Sequence, residues 1–219
     1  LVVDIFGSNH HGHVPKLQAL AKIFKFNVEK FKVILYQYVR LKKGEVAVRM
    51  QKRDGNFVTA HTVLEEIGAD SMIFSLLMNA VQSHIDFDPK LAKERSMKNP
   101  VYYVQYAYVR AGSILQKANS KGQSNIHFEV LKSDAELTLI RKLIEWPQVI
   151  EETARDFAVH RITRYATDLA RTFQTFYEKE RVLGEIEEVM RARLALVEAT
   201  QAILKDVFDV LATSAPEKM

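Results

Sequence analysis

Residues 160–181 read HRITRYATDLARTFQTFYEKER, and within them Ile162, Tyr165, Leu169, Phe173, Phe176 and Tyr177 recur at three- and four-residue spacings. That period is the mark of a helix with one apolar face. Downstream, Ile186, Val189, Leu194, Val197, Ile203, Leu204, Val207 and Leu211 keep the same period and predict a last helix over about 185–211. Upstream, Ser133 and Glu136 have capping-box spacing ahead of Leu137, Ile140, Leu143 and Ile144, and Pro147 breaks and restarts the helix. Trp146 reads as a hinge packed under the bundle. Asn99-Pro100 opens a helix through about residue 118. The second half is therefore an all-α bundle.

The front of the chain is different. Residues 1–6 form a near-continuous apolar strand pattern, residues 7–13 a turn, and 15–24 a helix with Leu17, Leu20, Ala21 and Phe24 on one face. Two β-rich runs follow, 31–41 and 45–50, separated by Lys42-Lys43-Gly44, which predicts a hairpin or neighbouring strands. Residues 49–59 read as a polar loop around Asp54-Gly55-Asn56. Thr62 and Glu65 are spaced to cap a short helix that Gly68 stops, Asp70 to cap a helix over 71–80, and Asp88-Pro89 to open another. Residues 119–125 read as a loop.

With 219 residues and 47% hydrophobic composition the chain can fill a sizeable core, which excludes disordered and collagen-like classes. The absence of cysteine removes disulfide scaffolds, thiolate zinc sites and Cys nucleophiles, and favours an intracellular origin. No apolar run approaches the roughly 18 residues of a membrane span, so a soluble protein is expected. The chain opens at Leu1, inside a strand pattern and without an initiator Met, which gives the expectation of a piece of a longer protein. Net charge is +4, but residues 16–53 hold eleven Lys and Arg against Glu29 and Glu45, while residues 96–219 hold seventeen cations and seventeen acids. Phosphate attraction is thus concentrated in the first quarter; nucleic-acid binding by the second half has to rely on stacking, shape and hydrogen bonds.

Two polar clusters stand out. His10, His11 and His13 follow Gly7 at the carboxyl end of the first strand and precede a helix, a place where exposed amides favour phosphate or carboxylate. A tight HHxH turn does not aim three imidazoles at one tetrahedral centre, so no metal site is assigned. Arg49-Met50-Gln51-Lys52-Arg53 places three cations on a loop leaving a strand, suited to closing on a polyphosphate. On the helix opened by Asn99-Pro100, Tyr102 and Tyr106 share one face and Tyr103 sits beside it; burial of at least one of the four tyrosines at 102, 103, 106 and 108 is expected. Arg161, Arg164 and Arg171 either line a phosphate track or solvate a helix. His84, His127 and His160 are given no role.

Three segments taken in order, Gly7-Ser8-Asn9-His10-His11-Gly12-His13-Val14-Pro15-Lys16-Leu17, Val48-Arg49-Met50-Gln51-Lys52-Arg53-Asp54-Gly55-Asn56-Phe57-Val58-Thr59 and Asn99-Pro100-Val101-Tyr102-Tyr103-Val104-Gln105-Tyr106-Ala107, closely resemble the bacterial arginyl-tRNA synthetases, class I enzymes. Arg191-Ala192-Arg193-Leu194-Ala195-Leu196-Val197 and the closing Ser214-Ala215-Pro216-Glu217-Lys218-Met219 are similar to that family's end.

The resemblance implies a mostly α chain: the end of a Rossmann-like α/β catalytic domain with a KMSKS-like loop (1–60), a stem-contact helical region (61–97), and an α-helical anticodon-binding domain of the DALR type (98–219). It implies ATP-dependent ligation of arginine to its tRNA through an arginyl-adenylate, with Mg2+ in the parent enzyme, in a cytoplasmic monomer. By similarity Asn9, His10 and His13 lie on the arginine and ATP side, Lys52 stabilises the triphosphate as pyrophosphate leaves, and Met50 and Arg53 shape the loop. Tyr106, Tyr177 and Met219 match positions that pack against the anticodon loop; such stacking contributes about 1–3 kcal/mol per base.

Three departures accompany the likeness. Asn9 stands where the family usually has Asp, Gln51 where the loop usually has Ser, and Arg49 where it has its first Lys. The HIGH motif and the residues that recognise the arginine side chain are not among these 219 residues, which gives the expectation that they do not activate arginine alone. Two other readings stay open: a stand-alone tRNA-binding module derived from the family, and a helical interaction protein that binds no nucleic acid.

Overall fold

A parallel strand pair joined by a helix begins the chain. β1 (Val2–Gly7) pairs with β2 (Phe31–Tyr36) in continuous register from Val2 opposite Phe31 to Gly7 opposite Tyr36. The crossover is a 3-10 turn over Ser8–His13 and α1 (Val14–Ile23), with Pro15 in the first turn where its missing N–H costs nothing. The computed structural model describes residues 1–43, 46–47, 59–119 and 126–219.

The elements of this front piece match the sequence reading, but their burial does not. All of residues 1–40 are described and none is buried; Ile5, Leu20, Ile23 and Phe24 are 64%, 48%, 72% and 79% exposed. A parallel strand reads as continuously apolar because it is made to be covered on both faces. Here β1 has one strand neighbour among the described residues, so the pattern is present and its cover is not.

The expected β-run 31–41 is divided. After β2 the chain turns at Gln37, whose amide donates to the Val81 carbonyl at 2.9 Å, and a second sheet starts. In it β3 (Val39–Lys43) runs antiparallel to β4 (Val46–Ala47) and parallel to β5 (Ile85–Phe87). The first pairing is the expected hairpin. The Ile85–Phe87 strand has no counterpart in the reading, since three residues are too few to display a period of two.

Around this sheet lie α2 (Ala60–Ile67), α3 (Ala69–Leu77) and α4 (Pro89–Lys93), closing a small core of Leu41, Val63, Phe87 and Ala92. Two expected caps move. Thr59, not Thr62, caps α2: its backbone is extended and its hydroxyl accepts the Thr62 amide at 3.0 Å, whereas Thr62 already lies inside the helix. Gly68, at φ +83°, both ends α2 and precedes α3, so Asp70 falls in the first turn and its carboxylate is used elsewhere. Asp88 caps α4 through the Lys90 amide as expected.

The bundle consists of α5 (Pro100–Ala118), α6 (Asp134–Ile144), α7 (Trp146–Asp156), α8 (His160–Lys179) and α9 (Glu187–Leu211). Its core interleaves Val104, Ala107 and Ala111 of α5 with Leu139 of α6, Leu169, Phe173 and Phe176 of α8, and Val197, Leu204 and Phe208 of α9. Small residues let α5 and α9 approach: a Cβ on Gly112 would stand 2.6 Å from the Gln201 amide nitrogen. The Ser133/Glu136 capping box forms. Trp146, at the break before Pro147, is buried and stacks on Tyr165 with centroids 5.2 Å apart. Phe74 of α3 belongs to the same core, and Thr163 donates to the Leu77 carbonyl at 3.2 Å, tying the middle of the chain to the bundle. Among the described residues no helix is long and apolar enough to cross a membrane.

Candidate nucleic-acid interface

Helix α5 uses its circumference twice. Val101, Val104, Ala107, Ala111 and Ile114 face the core. Tyr102, Tyr106, Arg110, Ser113 and Lys117, three and four residues apart, make the other face. Tyr103 and Tyr108 lie between, packed against the core; none of the four tyrosines is fully buried, because the small Ala107 and Ala111 take the closest positions.

On the open face Arg110 is held on all sides. Its guanidinium carbon lies 4.7 Å from the ring centroids of both Tyr106 and Tyr177, its Nη1 donates to Gln174 Oε1 at 2.8 Å, and its Nη2 donates to the Tyr106 hydroxyl. Gln174 in turn donates to Glu178 at 2.6 Å. The two tyrosines named by the sequence reading are thus brought together from α5 and α8, and the arginine between them is the residue that reading missed. Its signal was available: position 110 is one turn after Tyr106 on the same face.

A groove of about 570 Å³ opens over this stack, walled on its far side by residues 180–183. Among the described residues that line it, Arg110, Lys117 and Arg181 supply cations against the single acid Glu180. An aromatic platform with cations at its rim suits an unstacked base and its phosphate.

Met219 is placed in a neighbouring cleft of about 650 Å³, with Tyr102, Gln105 and Arg95. The tail that carries it is fixed by Asp70. The Ser214 amide donates to Asp70 Oδ1 at 3.0 Å, the Ser214 hydroxyl also donates to this carboxylate, and Gln105 Nε2 bridges Asp70 Oδ2 at 2.9 Å and the Ser214 carbonyl at 3.1 Å. Tyr102 and Tyr106 are one turn apart, so the two cavities succeed each other along one helix face.

Asn9, His10 and His13 sit on the exposed 3-10 turn at the carboxyl end of β1. The His10 ring lies 5.6 Å from that of His13 and 6.1 Å from Phe6, and Ser8 donates to Gln37 at 2.9 Å. The Asn9 side chain folds back over Gly7, its Oδ1 2.9 Å from where a Cβ would be. Lys52, Met50 and Arg53, with Arg49 and Gln51, lie outside the described residues.

Two of the three arginines of α8 are paired with acids on the protein. Arg161 donates to both oxygens of Asp156, at 3.1 and 2.7 Å, and Arg171 donates to Asp168 at 3.0 Å. The Arg161 hydrogen bonds, with the Ala158 amide, bring the Asp156 carboxyl down to about 2.

Comparison with known proteins gives the family. The profile of the family described as DALR anticodon binding domain matches residues 104–219. The chain is 43% identical over 224 residues to the arginine--tRNA ligase of Carboxydothermus hydrogenoformans and 41% identical over 223 residues to that of Desulforamulus reducens, all of the chain aligning in each case with 40% of the relative. It therefore spans about 40% of the length of the curated relatives it matches. A Campylobacter jejuni protein described as an arginyl-tRNA synthetase superposes with a TM-score of 0.83 at 26% identity, over 99% of this chain and 47% of that one. The Thermus thermophilus arginyl-tRNA synthetase has the same fold, with a TM-score of 0.78 at 22% identity over 99% of this chain and 41% of that one. With its matched segment beginning on α5 and taking in more than half of the chain, from Tyr106 to Met219 among the residues described above, the protein belongs to the DALR anticodon-binding domain family.

Proposed function

We propose that these residues serve an arginine--tRNA ligase, in which the helical half reads the anticodon and the front supplies part of the site where ATP and arginine react. The observation that carries this is the Tyr106–Arg110–Tyr177 stack on the open face of α5, at the start of the family match. It offers a base an aromatic surface and a fixed guanidinium without needing net positive charge, in keeping with the neutral balance of residues 96–219. The division would be a catalytic remnant over 1–60, a stem-contact region over 61–97 and the anticodon domain over 98–219.

In the parent reaction the arginine carboxylate attacks the α-phosphate of ATP, pyrophosphate leaves, and a ribose hydroxyl of the tRNA then displaces AMP. Asn9, His10 and His13, beside the amino end of α1, are assigned to holding arginine and ATP. Lys52 neutralises charge that gathers on the departing pyrophosphate, with Met50 and Arg53 shaping the loop. Mg2+ prefers carboxylates together with substrate phosphates. Around the 3-10 turn the described residues offer imidazoles, amides and a hydroxyl instead, so no residue is assigned to the ion and no step is routed through it. The partners are tRNA for arginine, arginine and ATP, and the setting is the cytoplasm, with the ligase a monomer.

The test is binding of tRNA bearing an arginine anticodon against one with its central anticodon base changed, at one moderate salt concentration, with Tyr106→Ala alongside. Preference for the first, lost in the variant, is expected. Equal and salt-sensitive binding to both would mean that only the basic stretch is engaged, and absence of binding would favour a helical interaction protein. The 219 residues alone are expected to form no arginyl-adenylate above background, which a pyrophosphate-exchange assay checks; together with anticodon preference, that outcome describes a binding-competent piece of the ligase.

A further inference from the structure

Arg193 lies near the start of α9, its side chain 13% exposed, and all three of its nitrogens are engaged. Nε donates to Glu136 Oε1 at 2.7 Å, Nη2 to Glu180 Oε2 at 2.6 Å, and Nη1 to the Arg181 carbonyl at 2.7 Å. Glu136 is 2% exposed, and its other oxygen accepts the Lys132 and Ser133 amides, each at 2.8 Å. Burial would raise the Glu136 carboxyl, but the Ser133 amide, Arg193 and the Lys132 amide outweigh it and leave it below the ordinary value. The anchor is therefore an ionised carboxylate seated in the capping box of α6.

What this anchor holds is the wall of the groove. Glu180 and Arg181 both line the cavity over Arg110 and Tyr177. Beyond them, Arg181 Nε donates to the Leu183 carbonyl at 3.0 Å, and its guanidinium covers Gly184, which turns the chain at φ +83° and whose Cβ would stand 2.9 Å from that group. The wall keeps this shape through its own turn and through the two bonds from Arg193. Charge points the same way. Among the described residues lining the groove Glu180 is the one acid, beside Arg110, Lys117 and Arg181, and a free carboxylate there would compete with phosphate for those cations.

Resting on the reading of this groove as the place where the anticodon is read, we propose that Arg193 is a positioning residue for nucleotide recognition: it touches no nucleotide, but by tethering the Glu180 carboxylate and the Arg181 carbonyl it sets the wall facing Tyr177 and keeps the Glu180 carboxylate turned away from the RNA. A residue that merely held the fold together would change stability without changing which anticodon is preferred.

The experiment measures binding of the 219-residue chain to two anticodon stem-loops, one with an arginine anticodon and one with its central base changed, alongside thermal melting. Arg193→Met is expected to lower the preference for the arginine stem-loop about tenfold, the scale of one lost charge-assisted hydrogen bond. Adding Glu180→Gln is expected to restore affinity for both stem-loops by removing the freed carboxylate. Leu143→Ala, a core change of comparable effect on melting, is expected to keep the wild-type preference. If Arg193→Met fails to fold, Arg193→Lys serves in its place: it keeps the charge beside Glu136 but lacks the planar fork that reaches Glu136, Glu180 and the Arg181 carbonyl from three separate nitrogens, so reduced preference is again expected. An unchanged preference in a folded Arg193 variant with lowered melting overturns the proposal and makes the cluster a structural anchor. A wild-type chain that does not distinguish the stem-loops overturns the reading of the groove, and the proposal with it, before any variant is made.

Discussion

The guanidinium carbon of Arg110 lies 4.7 Å from the centre of the Tyr177 ring, so a cation from α5 and an aromatic from α8 form one layered unit across a helix–helix seam. The geometry depends on a flat, forked cation. Arg110→Lys keeps the charge but loses the flat fork that lies between the two rings while donating to Gln174 and Tyr106. The expected result is weaker binding of an arginine anticodon stem-loop by about 1–2 kcal/mol, with melting temperature little changed because the groove is open to solvent. Titration of the stem-loop into both proteins, with thermal melts alongside, checks it.

Asp70 carries the attachment of the tail. Asp70→Ala removes the acceptor for the Ser214 amide, the Ser214 hydroxyl and Gln105 together. Residues 214–219 are expected to be trimmed faster by carboxypeptidase, and the contribution of Met219 to RNA binding to fall away, while Arg110→Lys in the same background keeps its own separate cost. Unchanged trimming would show that the tail is held by something other than Asp70.

The Asp156–Arg161 pair fixes an acid-sensitive elbow between α7 and α8. Asp156 is held at about 2 against an ordinary 3.8, by Arg161 first and the Ala158 amide second. A folded-state pKa below the unfolded one contributes stability that is complete above the unfolded value and is lost as pH falls through the folded one. Melting temperatures of the wild type and Asp156→Asn are therefore expected to differ at pH 7, to converge between pH 4 and pH 2, and to coincide below. The pair is exposed, so the difference is small and is further reduced by salt.

Burial separates the two halves energetically. Phe173 is completely buried and 6.3 Å from Phe176, so Phe173→Ala is expected to cost about 3–5 kcal/mol, a large part of a domain's net stability. Ile23 is 72% exposed, and Ile23→Ala is expected to change stability by about 0.5 kcal/mol or less. Urea unfolding of the bundle, followed by helical circular dichroism, distinguishes them.

How legible the fold was in the sequence varies with the range of the interaction. Asn99-Pro100, the Ser133/Glu136 box and the break at Pro147 are local signals, and each falls where the helices begin or end. The Ile85–Phe87 strand exists because β3 gives it a partner more than forty residues earlier, which no local pattern displays. Thr62 and Asp70 were misread as caps because the residues that hold those places, Thr59 and Gly68, lie three and two positions earlier, and backbone conformation decides between them. At the site, tyrosines on α5 and α8 were legible as residues but not as a pair; the arginine between them and the wall fixed by Arg193 follow from helix packing. The attachment of Ser214 to Asp70 spans 144 positions, and nothing in either segment announces it.

The absence of any buried side chain among residues 1–40 sets a difference in lifetime along one polypeptide. Backbone amides of β1 and β2 are protected by a single six-residue ladder that can open without disturbing a core elsewhere. Those in the buried middle of α5, α8 and α9 are expected to exchange mainly through opening of the bundle itself. Placed in deuterated water, the chain would label from its front inwards, its first forty residues within the reach of local fluctuations while the helices behind them still carry their original protons.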